Sequence, residues 1–171
     1  MYDDLSDLAQ RLGKYMAEQC TDGLPGHFGD ELLDAFPDET RETLKGALAE
    51  LKADGLVELT PLIGPNLPRV HTTYELFVAA DAAVTGHDPR SDSAMLARLM
   101  ADDPELGSVQ RLEQAVDWDH RRFNPAVGLL LSLFPDGRYS KECQADYPTR
   151  YFLVTEDEVV ALRRYARSHS T

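Results

Sequence analysis

Apolar residues in the first part of the chain recur at spacings of three and four, which is the period of one helix face. The pattern predicts a helix over residues 4–20, a short helix within residues 28–36, and a third helix that ends before Gly55. Their apolar positions are Leu5, Leu8, Leu12 and Met16, then Phe28, Leu32, Leu33 and Phe36, then Leu44, Ala47, Leu48 and Leu51. Pro37 and Asp38 are expected to form the turn and the N-cap before the third helix.

A strand, a turn and a second strand are expected after the third helix. Residues 56–59 alternate weakly, residues 61–68 are rich in proline, and residues 69–78 are rich in β-branched and aromatic side chains. The pattern therefore predicts a hairpin with a long loop. Residues 79–84 are expected to form a short helix, and the polar residues 85–93, which contain glycine and proline, a linker.

The second part of the chain repeats this order. Apolar periodicity again predicts three helices, and the third again ends at an Asp-Gly pair, Asp136-Gly137. The apolar positions are Met95, Leu96 and Leu99, then Val109, Leu112 and Val116, then Phe123, Ala126, Val127, Leu130 and Leu133. Residues 137–145 and 150–155 are expected to be strands, joined by a shorter turn over residues 146–148.

A last helix is predicted from Thr155 to about Arg167. Thr155 followed three residues later by Glu158 is a capping box, in which hydroxyl and carboxylate satisfy the free amides of the helix start reciprocally. The apolar positions of this helix are Val159, Leu162 and Ala166. Its arginines, Arg163, Arg164 and Arg167, add positive charge at the end of the chain.

The order helix, helix, helix, strand, wing, strand resembles the winged helix-turn-helix superfamily. The resemblance is clearest at residues 118–126, Trp-Asp-His-Arg-Arg-Phe-Asn-Pro-Ala, because similar openings of the third helix occur in winged helices of bacterial regulators. It implies an α+β, mostly helical fold of two tandem winged-helix modules packed together. The modules would span residues 1–84 and 94–171, with the linker at residues 85–93. The kleisin-binding subunits of bacterial condensin-like complexes form an acidic, non-enzymatic class with this architecture.

The net charge of −13 is unevenly distributed. Residues 1–88 carry 17 acidic and 6 basic side chains, whereas residues 89–171 carry 13 and 11. A polyanion is therefore expected to approach only the second half. No apolar run suits a membrane span, no signal peptide is visible, and Cys20 and Cys143 lack metal or redox spacing. We therefore expect a cytoplasmic protein with two free thiols and no membrane contact.

Arginines at the third helix of the second module are the sharpest candidates for an anion site. With Asn124 as N-cap and Pro125 in the first turn, Arg121 and Arg122 would stand just before a helix N-terminus, which attracts a DNA phosphate. Further basic residues on the following hairpin are Arg138, Lys141 and Arg150. Residues 119–150 are therefore the candidate contact with double-stranded DNA. The alternative is that these side chains only offset an acidic protein through surface ion pairs.

The first module has a different character. Its third helix opens with acidic residues, Asp38, Glu39 and Glu42, which would repel phosphates. The apolar residues of its wing are Leu62, Ile63 and Leu67. Exposed apolar residues in a wing indicate contact with a partner protein. The alternative is that they fold back onto their own module or onto the second one.

No pattern of catalytic residues is visible. The five histidines never occur in a metal-ligand spacing, and the chain has no glycine-rich dinucleotide motif, P-loop or nucleophile elbow. We therefore expect a non-enzymatic protein with no catalytic residues, no metal and no cofactor.

The sequence supports two functional hypotheses. The first is an adaptor or subunit that mediates protein–protein assembly, with the acidic first module meeting a partner protein. The alternative is a transcriptional regulator that reads duplex DNA through the second module and forms a homodimer through the first. Charge discriminates between them, because a specific duplex binder presents a basic face.

Overall fold

The computed structural model describes residues 2–141 and 146–169. The chain forms two compact units. The N-terminal unit contains the residues up to Thr21 together with Pro25–Gly86, and the C-terminal unit contains Asp22–Leu24 and the residues from His87 onward. Each unit has its own cluster of buried apolar side chains.

The N-terminal unit contains four helices and three strands. They are α1 (Asp7–Gln19), β1 (His27–Phe28), α2 (Glu31–Ala35), α3 (Arg41–Ala53), β2 (Val57–Thr60), β3 (Arg69–Thr72) and α4 (Tyr74–Val84). A 3-10 turn over Tyr2–Asp4 precedes α1. The strands form an antiparallel sheet in the order β1-β3-β2, with His27 opposite His71 and Leu59 opposite Val70. The predicted α1 and α3 are confirmed, whereas Phe28 belongs to a strand and not to the second helix.

The core of the N-terminal unit lies between α1, α3 and α4. The periodic apolar residues of α1 and α3 point into it, as their spacing predicted. The largest fully buried side chains of this core are Leu12, Met16, Leu32, Leu44, Leu48, Leu51, Leu67, Leu76 and Phe77. Cys20 is also buried, while Cys143 lies outside the described residues.

The strand predicted over residues 69–78 is wrong in its second half. The chain turns at Thr73, whose Oγ1 donates to the two backbone carbonyls that follow α3. Thr73 then serves as the N-cap of α4, and Leu76, Phe77 and Ala80 are buried together. A strand would send adjacent residues to opposite faces, so this burial requires a helix. Short apolar runs rich in β-branched and aromatic residues do not distinguish the two.

Local hydrogen bonds set the start of α3. The N-cap is Thr40 and not the Pro37-Asp38 turn that the sequence indicated. Thr40 Oγ1 accepts a hydrogen bond from the Thr43 amide at 3.2 Å, and Thr43 Oγ1 accepts one from the Thr40 amide at 3.0 Å. The two threonines therefore form a reciprocal capping box in which a hydroxyl takes the usual place of a carboxylate.

Asp54-Gly55 directly follows α3, as predicted, whereas the helix predicted to end at Asp136-Gly137 ends at Leu130 and is followed by a 3-10 turn over Leu131–Leu133. Gly55 has φ +72°, and the amide of Leu56 donates to the carbonyl of Leu51 at 2.9 Å, which closes α3 with a left-handed cap. Gly137 has φ +85° in the corresponding turn of the C-terminal unit. Residues with a Cβ atom rarely adopt this conformation, so glycine fits both positions.

The C-terminal unit contains helices α5 (Pro89–Asp102), α6 (Val109–Val116), α7 (His120–Leu130) and α8 (Glu156–His169). Ser108 pairs with Tyr151, and Tyr139 pairs with Phe152, both antiparallel. The segment at residues 151–152 therefore lies between two others, as β3 does between β1 and β2. The order of helices and backbone pairings found in the N-terminal unit recurs here.

Two sequence predictions for the C-terminal unit change, and a third is confirmed in part. The expected linker, residues 85–93, is helical from Pro89 on, because Asp88 caps α5 by accepting from the Arg90 amide at 2.9 Å. The expected strands are reduced to the pairings above within the described part, and residues 142–145 lie outside it. One half of the predicted capping box is confirmed: the Thr155 amide donates to Glu158 Oε2 at 3.0 Å at the start of α8, and the Thr155 hydroxyl donates to the same oxygen.

The protein is a mostly helical α+β protein, as the sequence predicted. The helices α5 and α8 have 14 residues each, whereas a transmembrane helix needs about 20. No helix in residues 2–141 and 146–169 is long and apolar enough to cross a membrane.

Candidate interaction surfaces

The wing of the N-terminal unit is the loop between β2 and β3, residues 61–68. Ile63 at its tip is 102% exposed and Leu62 is 41% exposed, whereas Leu67 is 0% exposed. Leu62 and Ile63 are therefore accessible to a partner. Leu67 belongs to the core of its own unit, which corrects its assignment to a protein interface.

A groove of about 350 Å³ runs beside this wing. Its lining residues are His27, Phe28, Gly29, Asp30, Glu31, Leu62, Leu67 and Arg69. The Leu67 amide donates to Asp30 Oδ1 at 2.8 Å, which fixes the base of the wing against the residue before α2. Leu62 therefore stands at the rim of a groove that combines apolar and charged groups.

A row of titratable side chains crosses the sheet beside the groove. His27 and His71 face each other across β1 and β3, with parallel rings whose centroids lie 4.3 Å apart. Glu58 on β2 completes the row, with Oε2 3.9 Å from His71 Nδ1. Spacing along the chain did not reveal this row, because its members come from three separate strands. Among the described residues, no three His, Cys, Asp or Glu side chains are arranged to hold a metal ion.

Arg122 is bound within the C-terminal unit. Its Nε and Nη2 donate to the two carboxylate oxygens of buried Asp92 at 2.8 and 2.7 Å. These hydrogen bonds raise the pKa of the guanidinium above its usual value. The guanidinium also lies over the Trp118 ring, 4.1 Å from its centroid. Arg122 therefore joins α5 to the start of α7, a structural role that the sequence did not reveal.

Two more residues of the predicted anion site form ion pairs. Arg138 Nε lies 3.6 Å from Glu158 Oε1, and Lys141 Nζ lies 2.9 Å from Asp136 Oδ1. The hydrogen bond to Asp136 is the main reason that the pKa of Lys141 is raised. Arg121 is half-buried and Arg150 is exposed. Three of the basic residues that the sequence grouped together, Arg122, Arg138 and Lys141, thus each form an ion pair with a carboxylate of the same unit.

Asn124 and Pro125 lie inside α7, which corrects their assignment to its start. The N-cap is Asp119, whose Oδ1 accepts from the Arg122 amide at 2.9 Å. Asn124 is fully buried, and its Nδ2 donates to the backbone carbonyls of Asp22 and Asp146 at 2.8 and 2.9 Å. Asn124 therefore satisfies backbone carbonyls within the C-terminal unit and is not accessible to an anion.

The helix α7 has little surface available for recognition. Every residue from Phe123 to Leu130 is buried, and only the first turn, residues 120–122, is partly exposed. A helix that reads the major groove presents a polar exposed face to the bases. The described α7 offers no such face beyond its first turn.

A small polar network links α6 and α7. Tyr147 Oη donates to Glu113 Oε2 at 2.6 Å, and His120 Nε2 lies 2.9 Å from the other carboxylate oxygen. The hydrogen bond to Glu113 is the main cause that raises the pKa of Tyr147 to about 12. His120 is the first residue of α7, and its side chain is partly exposed beside this network.

Glu158 is expected to make the stability of the C-terminal unit depend on acid pH. The hydrogen bond from the Thr155 hydroxyl is the main reason that the pKa of Glu158 lies below its usual value of 4.5, and Arg138 adds to the effect. A lowered pKa in the folded state stabilises the fold above the unfolded value, and this gain disappears as the pH falls through the folded value.

Glu158→Gln should therefore cost up to about 1 kcal/mol near neutral pH, a typical size for charge at a helix N-terminus. The cost should shrink toward zero as the pH falls below about 4.5. Urea unfolding of both proteins across this pH range measures the difference. A difference that stays constant with pH would show that the charge of Glu158 does not stabilise the fold.

Comparison of the chain with family models, curated proteins and solved structures gives no match.

Proposed function

We propose that the chain is a non-enzymatic adaptor or subunit of a larger assembly, built from two tandem winged-helix modules, that binds a partner protein through the N-terminal wing. The repeated topology supports the modular part of this proposal. In each unit a helix is followed by a first pairing segment, two helices, and two segments that pair antiparallel. The central position of the last pairing segment is the same in both units.

The burial of α7 is the main observation that favours a protein partner over duplex DNA. A winged-helix regulator inserts its third helix into the major groove. In the C-terminal unit this helix is buried from Phe123 to Leu130. Arg122, Arg138 and Lys141, which would contact phosphates, each form an ion pair with a carboxylate. Both features weigh against reading of duplex DNA through residues 119–150.

The exposed wing supports contact with a protein. Ile63 projects fully into solvent, Leu62 stands beside a groove, and neighbouring carboxylates from Asp30 and Glu31 line that groove. Apolar side chains next to charged groups resemble the centre and rim of a protein interface. A phosphate backbone would gain nothing from the apolar tip, and the two carboxylates outnumber the one arginine, Arg69, that lines the groove.

The proposal predicts that Leu62→Ser/Ile63→Ser abolishes capture of a partner protein. The full chain carrying an affinity tag is expressed in its native host, and the proteins that copurify are identified by mass spectrometry. At least one should be retained by the unchanged chain and reduced at least about tenfold by the variant, because interface energy concentrates in a few apolar anchors. Circular dichroism and thermal unfolding should remain unchanged.

A matched control replaces exposed apolar residues elsewhere. Met95→Ser/Tyr151→Ser removes two side chains of the C-terminal unit that are each 50% exposed, and it should leave capture intact. If wing and control variants behave alike, the wing is not the contact. A salt-dependent complex of the unchanged chain with duplex DNA, at physiological ionic strength, would favour the regulator instead.

A further inference from the structure

The outward face of α8 carries a stripe of arginines. Val160, Arg163, Arg164 and Arg167 follow each other at spacings of three, one and three, so they share one side of the helix. All four are exposed, whereas Leu162 and Ala166 on the opposite side are buried. We call these four residues the α8 stripe.

A groove of about 220 Å³ separates one edge of the stripe from α5. Its lining residues are Arg98, Ala101, Asp102, Arg163, Ala166 and Arg167. Arg98 on α5 thus faces Arg163 and Arg167 on α8 across the groove. Three arginines from two helices therefore line one concave surface that also contains one acidic residue, Asp102.

A second groove, of about 560 Å³, adjoins the other end of the stripe. Its lining residues are Pro104, Val154, Thr155, Glu156, Val159, Val160 and Arg163. This groove is mostly apolar, and Arg163 belongs to both grooves. The surface consequently changes from apolar to basic along the exposed side of α8.

The arginines of the stripe differ from those of the predicted DNA patch in their partners. Arg163 Nη2 donates to the Ala101 carbonyl at 3.5 Å, and Arg167 Nε donates to the Arg163 carbonyl at 3.3 Å. Within residues 2–141 and 146–169, neither they nor Arg164 form an ion pair with a carboxylate. Basic residues in the last turns of a helix complement its dipole, which accounts for their sign. The dipole of α8 does not account for Arg98, which lies on α5.

We propose that the α8 stripe and its two grooves bind an acidic segment of a partner protein, with an apolar side chain of that segment in the groove at Val160 and its carboxylates at Arg163 and Arg167. Arg163, Arg164 and Arg167, which form no ion pair with a carboxylate of the described residues, provide the local charge complementarity. Arginine binds carboxylates with two parallel hydrogen bonds, which makes such contacts selective. The inference extends the proposed function by assigning a second contact to the C-terminal unit.

The composition of the two grooves favours a polypeptide over a nucleic acid. Asp102 lines the basic groove and Glu156 lines the apolar one, so closely spaced phosphates would meet carboxylates in both. An acidic polypeptide has apolar residues between its carboxylates, so it can place those apolar residues, and not its carboxylates, next to Asp102 and Glu156. The apolar groove also offers a favourable site to an aliphatic or aromatic side chain and none to a phosphate.

Selection from a library of random peptides displayed on phage tests this inference. The full chain is the immobilised target, and selected peptides are remeasured in solution by fluorescence anisotropy. Peptides that combine several Asp or Glu residues with an apolar residue should be enriched. Their affinity should fall at least about tenfold for Arg163→Glu/Arg167→Glu and for the charge-neutral Arg163→Gln/Arg167→Gln.

The controls separate a site from general charge. Lys14→Glu/Arg111→Glu changes the net charge as much as Arg163→Glu/Arg167→Glu does, and it should leave peptide affinity nearly unchanged. Val160→Ser should weaken binding without changing the charge. Because Arg163 also contacts the end of α5, circular dichroism checks that each variant is folded.

Several outcomes would overturn the inference. They are enriched peptides without acidic residues, equal weakening by the control pair, no enrichment at all, and a duplex oligonucleotide that competes with the peptides at physiological salt. The wing variant Leu62→Ser/Ile63→Ser should retain these peptides. Failure of partner capture through the wing would therefore refute the proposed function and leave the α8 stripe to be judged by the selection alone.

Discussion

Arg122→Ala is expected to lower the free energy of unfolding of the C-terminal unit by about 3 kcal/mol. The substitution removes two short hydrogen bonds to Asp92 and the guanidinium above the Trp118 ring. The buried carboxylate of Asp92 would keep its desolvation cost and lose its main compensation. Urea unfolding followed by fluorescence measures the effect, because Trp118 is the only tryptophan of the chain and lies at this contact.

Two further variants distinguish an ion pair from general destabilisation. Arg111→Ala removes an exposed arginine whose nearest carboxylate oxygen, on Glu105, is 3.4 Å away, and it should cost less than about 1 kcal/mol. Asp92→Ala combined with Arg122→Ala should cost clearly less than the sum of the two single changes, because neither charge is left alone. Additive effects would show that the two residues do not stabilise each other.

This pair changes how charge reversal near α7 must be interpreted. Replacement of Arg121 and Arg122 by glutamate would be the direct test of the DNA contact that the sequence predicted at these residues. In Arg122→Glu the new carboxylate would instead face the carboxylate of Asp92, and the unit would lose stability for that reason alone. Loss of any activity in such a variant would then report on folding.

The helices could largely be predicted from the sequence because their cores follow one periodic face. The apolar residues of α1, α3 and α6 lie where their spacing put them. Glycines at the two Asp-Gly pairs marked real chain reversals, since the left-handed conformation is a property of one residue. Local chemistry determined these features, so they did not require knowledge of the fold.

The rest depended on contacts between distant parts of the chain. The segment after Thr72 has the composition of a strand, but packing of Leu76 and Phe77 against α1 makes it a helix. Asn124 looked like an N-cap because it precedes a proline, whereas Asp119 holds that position and Asn124 is buried. Propensity and spacing could not decide between these alternatives.

The candidate sites were the least predictable part. A count of basic residues cannot show that Arg122 meets a carboxylate 30 positions away or that Arg138 meets one on α8. Nor can it show that Arg163 and Arg167 face Arg98 across a groove. The sequence showed that 11 of the 17 Lys and Arg residues lie in residues 89–171. Tertiary structure determines which of those charges remain available for binding.

Leu67→Ala is expected to lower the free energy of unfolding of the N-terminal unit by about 3 kcal/mol, although the residue lies in a proline-rich surface loop. Its side chain is fully buried, and truncation of a buried leucine loses transfer energy and leaves a cavity. The hydrogen bond from the Leu67 amide to Asp30 holds the backbone in place, so the loop cannot collapse freely to fill that cavity. Hydrogen exchange of amides in α1 and α3 measures the loss.

The same loop provides the matched control. Leu62→Ala removes an equally large side chain from the wing, but Leu62 is 41% exposed and should change stability by less than about 0.5 kcal/mol. Partner capture should respond in the opposite order at temperatures where both variants are folded: Leu62→Ala weakens it and Leu67→Ala does not. Equal destabilisation by the two substitutions would mean that the base of the wing is not part of the core. Loss of capture by Leu67→Ala in a folded protein would show that Leu67 contributes to the protein interface, as the sequence predicted.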